Sequence, residues 1–305
     1  MKKDLLIPYI ALAAICIIWG TTYLVLRIAV LHFPPLLFVT IRQLLAGALL
    51  IGFMLLTAKT VWPDFSHIKR QAVAGFFMIS LGNGLVAWAE VFIPSGVAAI
   101  LCSLMPVVVI LINMGISQDE RPTVPILIGV IMGLVGIMMI FSEHLADFYK
   151  LEYQIGIFVI FVAVLSWAGG SVWLKRRGHY GNPFLNAGLQ MFFGGVWLIP
   201  GSLVFDDLSR VTWSAEALYS LIYLVLIGSI VAYACYSYVL RKLPMTILSL
   251  YAYVNPVVAV ILGWLILGEK LNVQIGLAIL VTVGGIYIVN RGYQLGNLWR
   301  KQFSR

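Results

Sequence analysis

The chain is 305 residues long, with 62% hydrophobic residues, 10% charged residues and a mean hydropathy of +1.00. Soluble domains carry about 25% charged residues, so a water-soluble globule is excluded and the chain reads as one integral membrane unit. Its net charge of +8 is distributed loop by loop instead of gathering on one face among aromatics, which excludes a nucleic-acid binder.

A membrane-crossing helix needs about 20 predominantly apolar residues. Ten windows meet this: 5–30, 34–57, 72–93, 95–117, 123–141, 154–174, 184–205, 217–240, 244–267 and 271–290. The first opens behind Lys2-Lys3 and passes Ala11-Leu12-Ala13 without stopping, so it is predicted as an uncleaved span and not a signal peptide. It carries Trp19, Thr22 and Tyr23, with Arg27 near its far end, where a long cationic side chain can snorkel to the interface. The second span places Arg42 eight residues inside, a depth of about 12 Å at the helical rise. In the third, Asn83 sits between Gly82 and Gly84 and shares a helical face with Ala87 and Glu90, beside Trp88. Charges at such depth are tolerated when paired, so an Arg42–Glu90 pair is expected, as a structural clip or an outer gate.

The fourth span is interrupted by Pro106, which frees the carbonyl of Cys102. The fifth contains Gly129-x-x-x-Gly133, a motif that permits close helix contact. The sixth aligns Trp167 with Ser171, and the eighth aligns Tyr233 and Tyr236 with Ser229. In the ninth, Leu248, Tyr251 and Asn255 share a face, and Pro256 frees the carbonyl of Ala252. The tenth is glycine-rich at Gly276, Gly284 and Gly285, which predicts packing.

The second five spans repeat the first five. Pro94 and Pro106 recur as Pro244 and Pro256, and Met105-Pro106-Val107-Val108 matches Asn255-Pro256-Val257-Val258. Glu120-Arg121 matches Glu269-Lys270, and Trp19…Leu26-Arg27 matches Trp167…Leu174-Lys175. The repeats are expected at 5–141 and 154–290, followed by a basic cytoplasmic tail at 291–305. A duplicated unit with an odd number of spans inserts its second copy upside down, the arrangement of secondary transporters.

Lysine and arginine are retained on the cytoplasmic side. With an inner N-terminus, fifteen of the 20 fall in inner segments, and only Lys150, Arg210 and Lys270 fall in outer loops. A multi-pass protein of the cell (inner or plasma) membrane with both termini cytoplasmic is therefore expected. Cys16, Cys102 and Cys235 lie in apolar windows, and His32, His67, His144 and His179 lie in loops or at span ends. Neither pattern spaces metal ligands, so no metal and no cofactor is expected. A membrane enzyme would need an intramembrane base or ligand set, and the spans hold no histidine or aspartate for one. A channel would need a filter or charged rings instead of inverted repeats.

In order and spacing, Trp19-Gly20-Thr21-Thr22, Arg42, Gly82-Asn83-Gly84, Trp88-Ala89-Glu90, Pro94-Ser95-Gly96, Asn255-Pro256-Val257 and Leu267-Gly268-Glu269 resemble the EamA-domain branch of the drug/metabolite transporter superfamily. The resemblance spans both halves. It implies an all-α basket of ten helices in two inverted five-helix repeats, the first four of each half lining a central cavity and the fifth and tenth packing outside. It also implies alternating access and export of small metabolites, amino acids among them. A lipid or lipid-linked flippase on the same scaffold is the alternative. Many relatives carry an acid just before the second-half proline, where this chain has Asn255. Proton coupling through that position is therefore unavailable, and protons or an exchanged solute remain open as the driving species. The cavity candidates are Trp19, Thr22, Tyr23, Arg42, Asn83, Trp88, Glu90, Trp167, Ser171, Tyr233, Tyr236, Tyr251 and Asn255, with Pro106 and Pro256 as kinks. The expected partners are a neutral, zwitterionic or amphipathic solute and the lipid bilayer, for a monomer or weak dimer.

Overall fold

The structure, a computed structural model, describes residues 3–30, 32–57, 62–93, 95–116, 122–140, 150–177, 181–267 and 273–303. Pro94, Glu120, Arg121 and Gly268 to Lys270, used above to align the repeats, lie outside the described residues, as do His144 and His179. Ten helical units follow one another: α1 (Lys3–Val30), α2 (Pro35–Thr57), α3 (Phe65–Ala89), α4 (Ser95–Cys102 and Met105–Ile116), α5 (Val124–Ile140), α6 (Leu151–Arg176), α7 (Pro183–Phe205), α8 (Ala215–Lys242), α9 (Met245–Ser249 and Tyr251–Leu267) and α10 (Val273–Phe303). No strand occurs among the described residues. Eight of these units contain stretches long and apolar enough to cross a bilayer, and the shorter apolar stretches Val124–Met139 and Met245–Val258 complete the ten. Leu6, Ile7, Ile10, Leu49, Phe53 and Leu56 are exposed on the outside of α1 and α2, which is how a helix faces lipid and not water.

Local chemistry sets several boundaries. Asp64 caps α3 by accepting from His67 N at 3.1 Å. Asn182 caps α7 by accepting from Phe184 N at 2.8 Å, with Pro183 at the first helical position, where a missing N–H costs nothing. Ser214 caps α8 by accepting from Ala217 N at 3.2 Å. The turn before α7 passes through Gly181 at φ 71°, a left-handed conformation that glycine adopts without a Cβ penalty. α10 continues to Phe303, so most of the segment expected as a basic tail extends the last helix.

The halves interlock, and the packing itself shows the inversion. Gly47 of α2 lies against Phe192 of α7, Ile51 against Gly188, and Leu44 against Gly195. Numbers rise along one helix as they fall along the other, so these repeat-equivalent helices run antiparallel. α5 and α10 behave likewise, with Gly129 against Gly285 and Val289, and Gly136 against Ala278 and Thr282. A Cβ on Gly129 would come 2.6 Å from the Gly285 carbonyl oxygen, so the backbones meet without intervening side chains, as the small-residue motif predicts. α5 and α10 therefore form an outer pair. At one end of the bundle Thr212 N donates to His32 O at 3.0 Å; at the other, His67 Nε2 and Asn186 Oδ1 are 2.7 Å apart.

Two departures from straight helices recur at equivalent places. α3 is π-helical over Phe76–Gly84 and α8 over Leu224–Val231, segments that begin 148 residues apart, the offset that relates Trp19 to Trp167. Such windings are rare and concentrate at functional sites. The proline pair acts unequally. Pro106 sits in the first turn of the second piece of α4, after a break at Ser103 and Leu104. Pro256 stays inside Tyr251–Leu267, and α9 breaks earlier, at Leu250. The Ala252 carbonyl freed by Pro256 accepts from Ser103 Oγ at 3.0 Å, so one broken helix completes the other.

Candidate solute site

Trp19 and Trp167 occupy equivalent positions of the two repeats, and their rings meet edge to face, 5.6 Å apart at 85°. Equivalent residues touch only near the axis that relates the halves. Around them stand Tyr251, 4.8 Å from Trp19, and Tyr236, 5.4 Å from Trp19 and 5.6 Å from Trp167. Edge-to-face pairs of this kind contribute about 0.5–1.5 kcal/mol each beyond the area they bury, so the cluster is a rigid wall.

That wall bounds a cavity of about 90 Å³, smaller than the roughly 300–1,000 Å³ of typical small-molecule sites, so a bound solute requires the surrounding helices to part further. α1 contributes Trp19, Thr22, Tyr23 and Leu26; α2 contributes Arg42; α3 contributes Gly82, Asn83 and Val86. α4 adds Cys102 and Met105, α6 adds Ala163, Val164 and Trp167, and α9 adds Tyr251 and Asn255. The lining is mostly apolar and aromatic with a few fixed polar groups. Small residues make the room: a Cβ on Gly82 would come 2.7 Å from the Trp167 ring.

Of the residues singled out in the sequence, Trp19, Thr22, Tyr23, Arg42, Asn83, Trp167, Tyr251 and Asn255 are brought together on this lining, and the others lie elsewhere. Tyr233 and Tyr236 form a buried second layer, stacked at 5.8 Å with planes 9° apart. Tyr236 OH bonds to Ser171 Oγ at 2.7 Å and accepts from Trp167 Nε1 at 3.2 Å, which places Ser171 behind the wall. Trp88 packs on Phe92 and Phe205 at the periphery. Neither Pro106 nor Pro256 reaches the lining; their neighbours Met105 and Asn255 do. The resemblance implied lining from the first four helices of each half, but α7 and α8 supply none. Hydrogen bonding closes that side. Gln190 of α7 donates to Gln71 Oε1 at 2.5 Å and accepts from Tyr233 OH at 2.6 Å.

The Arg42–Glu90 pair does not form. Arg42 Nε donates to Ser229 Oγ at 2.8 Å, whereas Glu90 adjoins Arg27, whose guanidinium donates to the Glu90 backbone carbonyl. Neither Glu90 carboxyl oxygen has a hydrogen-bond partner. The expected face of Asn83, Ala87 and Glu90 assumes a helix that runs through Glu90, whereas the helix ends at Ala89 and Glu90 is its C-cap, beside Arg27. Arg27 is therefore an interhelical tie and not a snorkelling group.

Asn255 also has a structural role. With its amide nitrogen turned toward them, it donates to Tyr251 O at 2.8 Å and Cys16 O at 3.1 Å, pinning α9 to α1. Trp19 Nε1 donates to Gly228 O at 3.0 Å, which ties the wall to the π-helical stretch of α8. Sequence reasoning passed over the chain Asn186–His67–Gln71–Gln190–Tyr233, linked at 2.7, 3.3, 2.5 and 2.6 Å. The available signal was Gln71 and Gln190, two amides near the start of apolar spans.

Ten interlocked helices in inverted repeats around a walled cavity define a multi-pass membrane transporter. The EamA-like transporter family matches residues 6–142 and again residues 154–291, and the chain belongs to that family. It is 34% identical over 296 residues to the Escherichia coli (strain K12) protein named "Uncharacterized inner membrane transporter YedA", covering 96% of this chain and 94% of that one. It is 25% identical over 280 residues to the Bacillus subtilis (strain 168) "Uncharacterized transporter YoaV", covering 92% and 95%. A solved crystal structure superposes with a TM-score of 0.78 at 17% identity, covering 94% of this chain and 98% of that one, and shows the fold alone.

Proposed function

We propose that the protein exports small amphipathic organic metabolites, amino acids or similar solutes, across the cell membrane by alternating access, with the solute resting against Trp19, Trp167 and Tyr251. The reading rests on one observation: repeat-equivalent tryptophans meet on the cavity wall but are bonded differently. Trp19 is held by the Gly228 carbonyl and Trp167 by the Tyr236 hydroxyl. In an inverted repeat, exchanging the conformations of the two halves moves an opening from one membrane face to the other. An asymmetric pair on the axis is what such an exchange would invert. The inner-membrane name of the Escherichia coli relative and the positive-inside pattern support an inner-membrane location with both termini cytoplasmic.

The test is counterflow in proteoliposomes with labelled amino acids and hydrophobic cations, with and without a pH gradient. Labelled amphipathic solute should accumulate, and Trp167→Ala should abolish accumulation while the protein still elutes as a folded species. Accumulation of multivalent cations alone, or of nothing in the panel, would refute the reading. A dependence on the gradient would assign protons as the driving species; its absence would favour exchange.

A further inference from the structure

We propose that Arg42 is the carboxylate-binding residue of the cavity, so that the solute carries an anionic head on an apolar body. This rests on the transport reading above and narrows it to a substrate class.

Arg42 lines the cavity and is only 4% exposed. A guanidinium does not lose its proton in proteins, so its charge is present inside the membrane, where an uncompensated charge is costly and normally meets a counter-charge. Among the described residues none is supplied. Its hydrogen bond is made by Nε to the neutral Ser229 hydroxyl at 2.8 Å. Glu90, the carboxylate that could have served, adjoins Arg27 instead.

The geometry of that single bond is informative. Ser229 engages Nε and fixes the plane of the guanidinium, which leaves the terminal Nη1 and Nη2 groups as a pair of donors. Two parallel donors match the two oxygens of a carboxylate. Gly228 lies beside Nη2, since a Cβ there would come 3.5 Å from it, and the Gly228 carbonyl holds Trp19 Nε1 at 3.0 Å. The charged head and the aromatic wall are thus tied to adjacent residues of α8, so an anion held by Arg42 would have its apolar body directed toward Trp19.

The second repeat provides an internal control. The position equivalent to Arg42, 148 residues on, is Gln190. It is neutral, lies off the cavity, and has its amide engaged at both ends by Gln71 and Tyr233. A merely structural polar group at this position therefore needs no charge and is fully bonded. Only the copy that lines the cavity is cationic and lacks a counter-ion.

The experiment compares matched solutes of nearly equal shape: phenylalanine with phenylalaninamide, and 3-phenylpropionate with 3-phenylpropionamide, in counterflow and in ligand-induced thermal shift. The wild-type protein should prefer each carboxylate by about 10-fold or more, the scale of a hydrogen bond to a charged group. Arg42→Gln should bring the carboxylate-to-amide ratio close to one, and Arg42→Lys should fall between. Ser229→Ala, which keeps the charge but releases Nε, should lower the carboxylate-to-amide ratio less than Arg42→Gln does, and it decides the matter if Arg42→Gln does not fold. Equal or better handling of the amides by the wild type, or an unchanged ratio in the variant that folds, overturns the proposal and leaves the transport reading standing. Movement of no compound in either class overturns both.

Discussion

Ser103→Ala tests how the two broken helices support one another. Ser103 is fully buried, and its Oγ lies 2.9 Å from the Ala99 carbonyl of its own helix and 3.0 Å from the Ala252 carbonyl of α9. Pro256 has no N–H to offer Ala252, so the serine hydroxyl supplies a donor from outside the helix. Removing it leaves that buried carbonyl without the donor. A typical hydrogen bond contributes about 1 kcal/mol net, and interhelical side-chain bonds in membrane proteins average about 0.6 with a maximum near about 1.7. The expected loss is thus about 1 kcal/mol. Pro256→Ala returns an N–H to the Ala252 carbonyl and makes the serine redundant. In that background Ser103→Ala should cost close to nothing, giving a coupling energy of about 1 kcal/mol across the double-mutant cycle. The assay is reversible unfolding of the four proteins in mixed detergent micelles. Additive effects, or a Ser103→Ala protein as stable as wild type, would show that the Ala252 carbonyl does not depend on Ser103 and would refute the reasoning.

Two further outcomes follow from contacts elsewhere. Gly47→Val should lower the thermal unfolding temperature sharply, because even a Cβ at Gly47 would come 2.7 Å from Phe192 Cα, whereas Gly52→Ala, with nothing within 4 Å, should leave it unchanged or raise it by the helix propensity gained; equal effects would contradict the α2–α7 contact. Asp206, outside the helices, accepts from Leu37 N at 2.6 Å, and burial pushes its carboxyl up, against the lowering effect of the Leu37 and Leu36 amides. Its proton is lost more readily in the unfolded chain, so stability falls as pH rises from the ordinary carboxylate range through the folded value and is level above it. Asp206→Asn should remove that step from a pH series of thermal unfolding, and an unchanged series would show that Asp206 is not its source.

Much of the architecture is visible in the one-dimensional pattern. The ten apolar windows correspond to ten helices because a bilayer imposes the same length requirement on each helix separately. The odd-numbered duplication implies inversion, and the antiparallel contact of Gly47 with Phe192 is its physical form. Trp19 and Trp167 were legible as a pair because duplication marks equivalent positions at similar depth, and Tyr251 because it shares a helical face with Asn255 beside Pro256. Glu90 was drawn into the same group by the face it was expected to share with Asn83, and Trp88 as its neighbour in sequence, and the structure places both off the cavity lining.

What the sequence by itself determined, then, is the number of crossings, their duplication and the depth of each polar residue, all of which follow from transfer into lipid one helix at a time. Tertiary structure decided which faces meet: Arg27 and not Arg42 beside Glu90, Ser103 on the Ala252 carbonyl, and matched π-helical turns in α3 and α8. The reason is that helices apolar on every side carry no polar stripe to report their rotation. Rotation and register are fixed by packing and hydrogen bonds between helices, and those partners lie as much as 281 residues apart, as Tyr9 and Asn290 do.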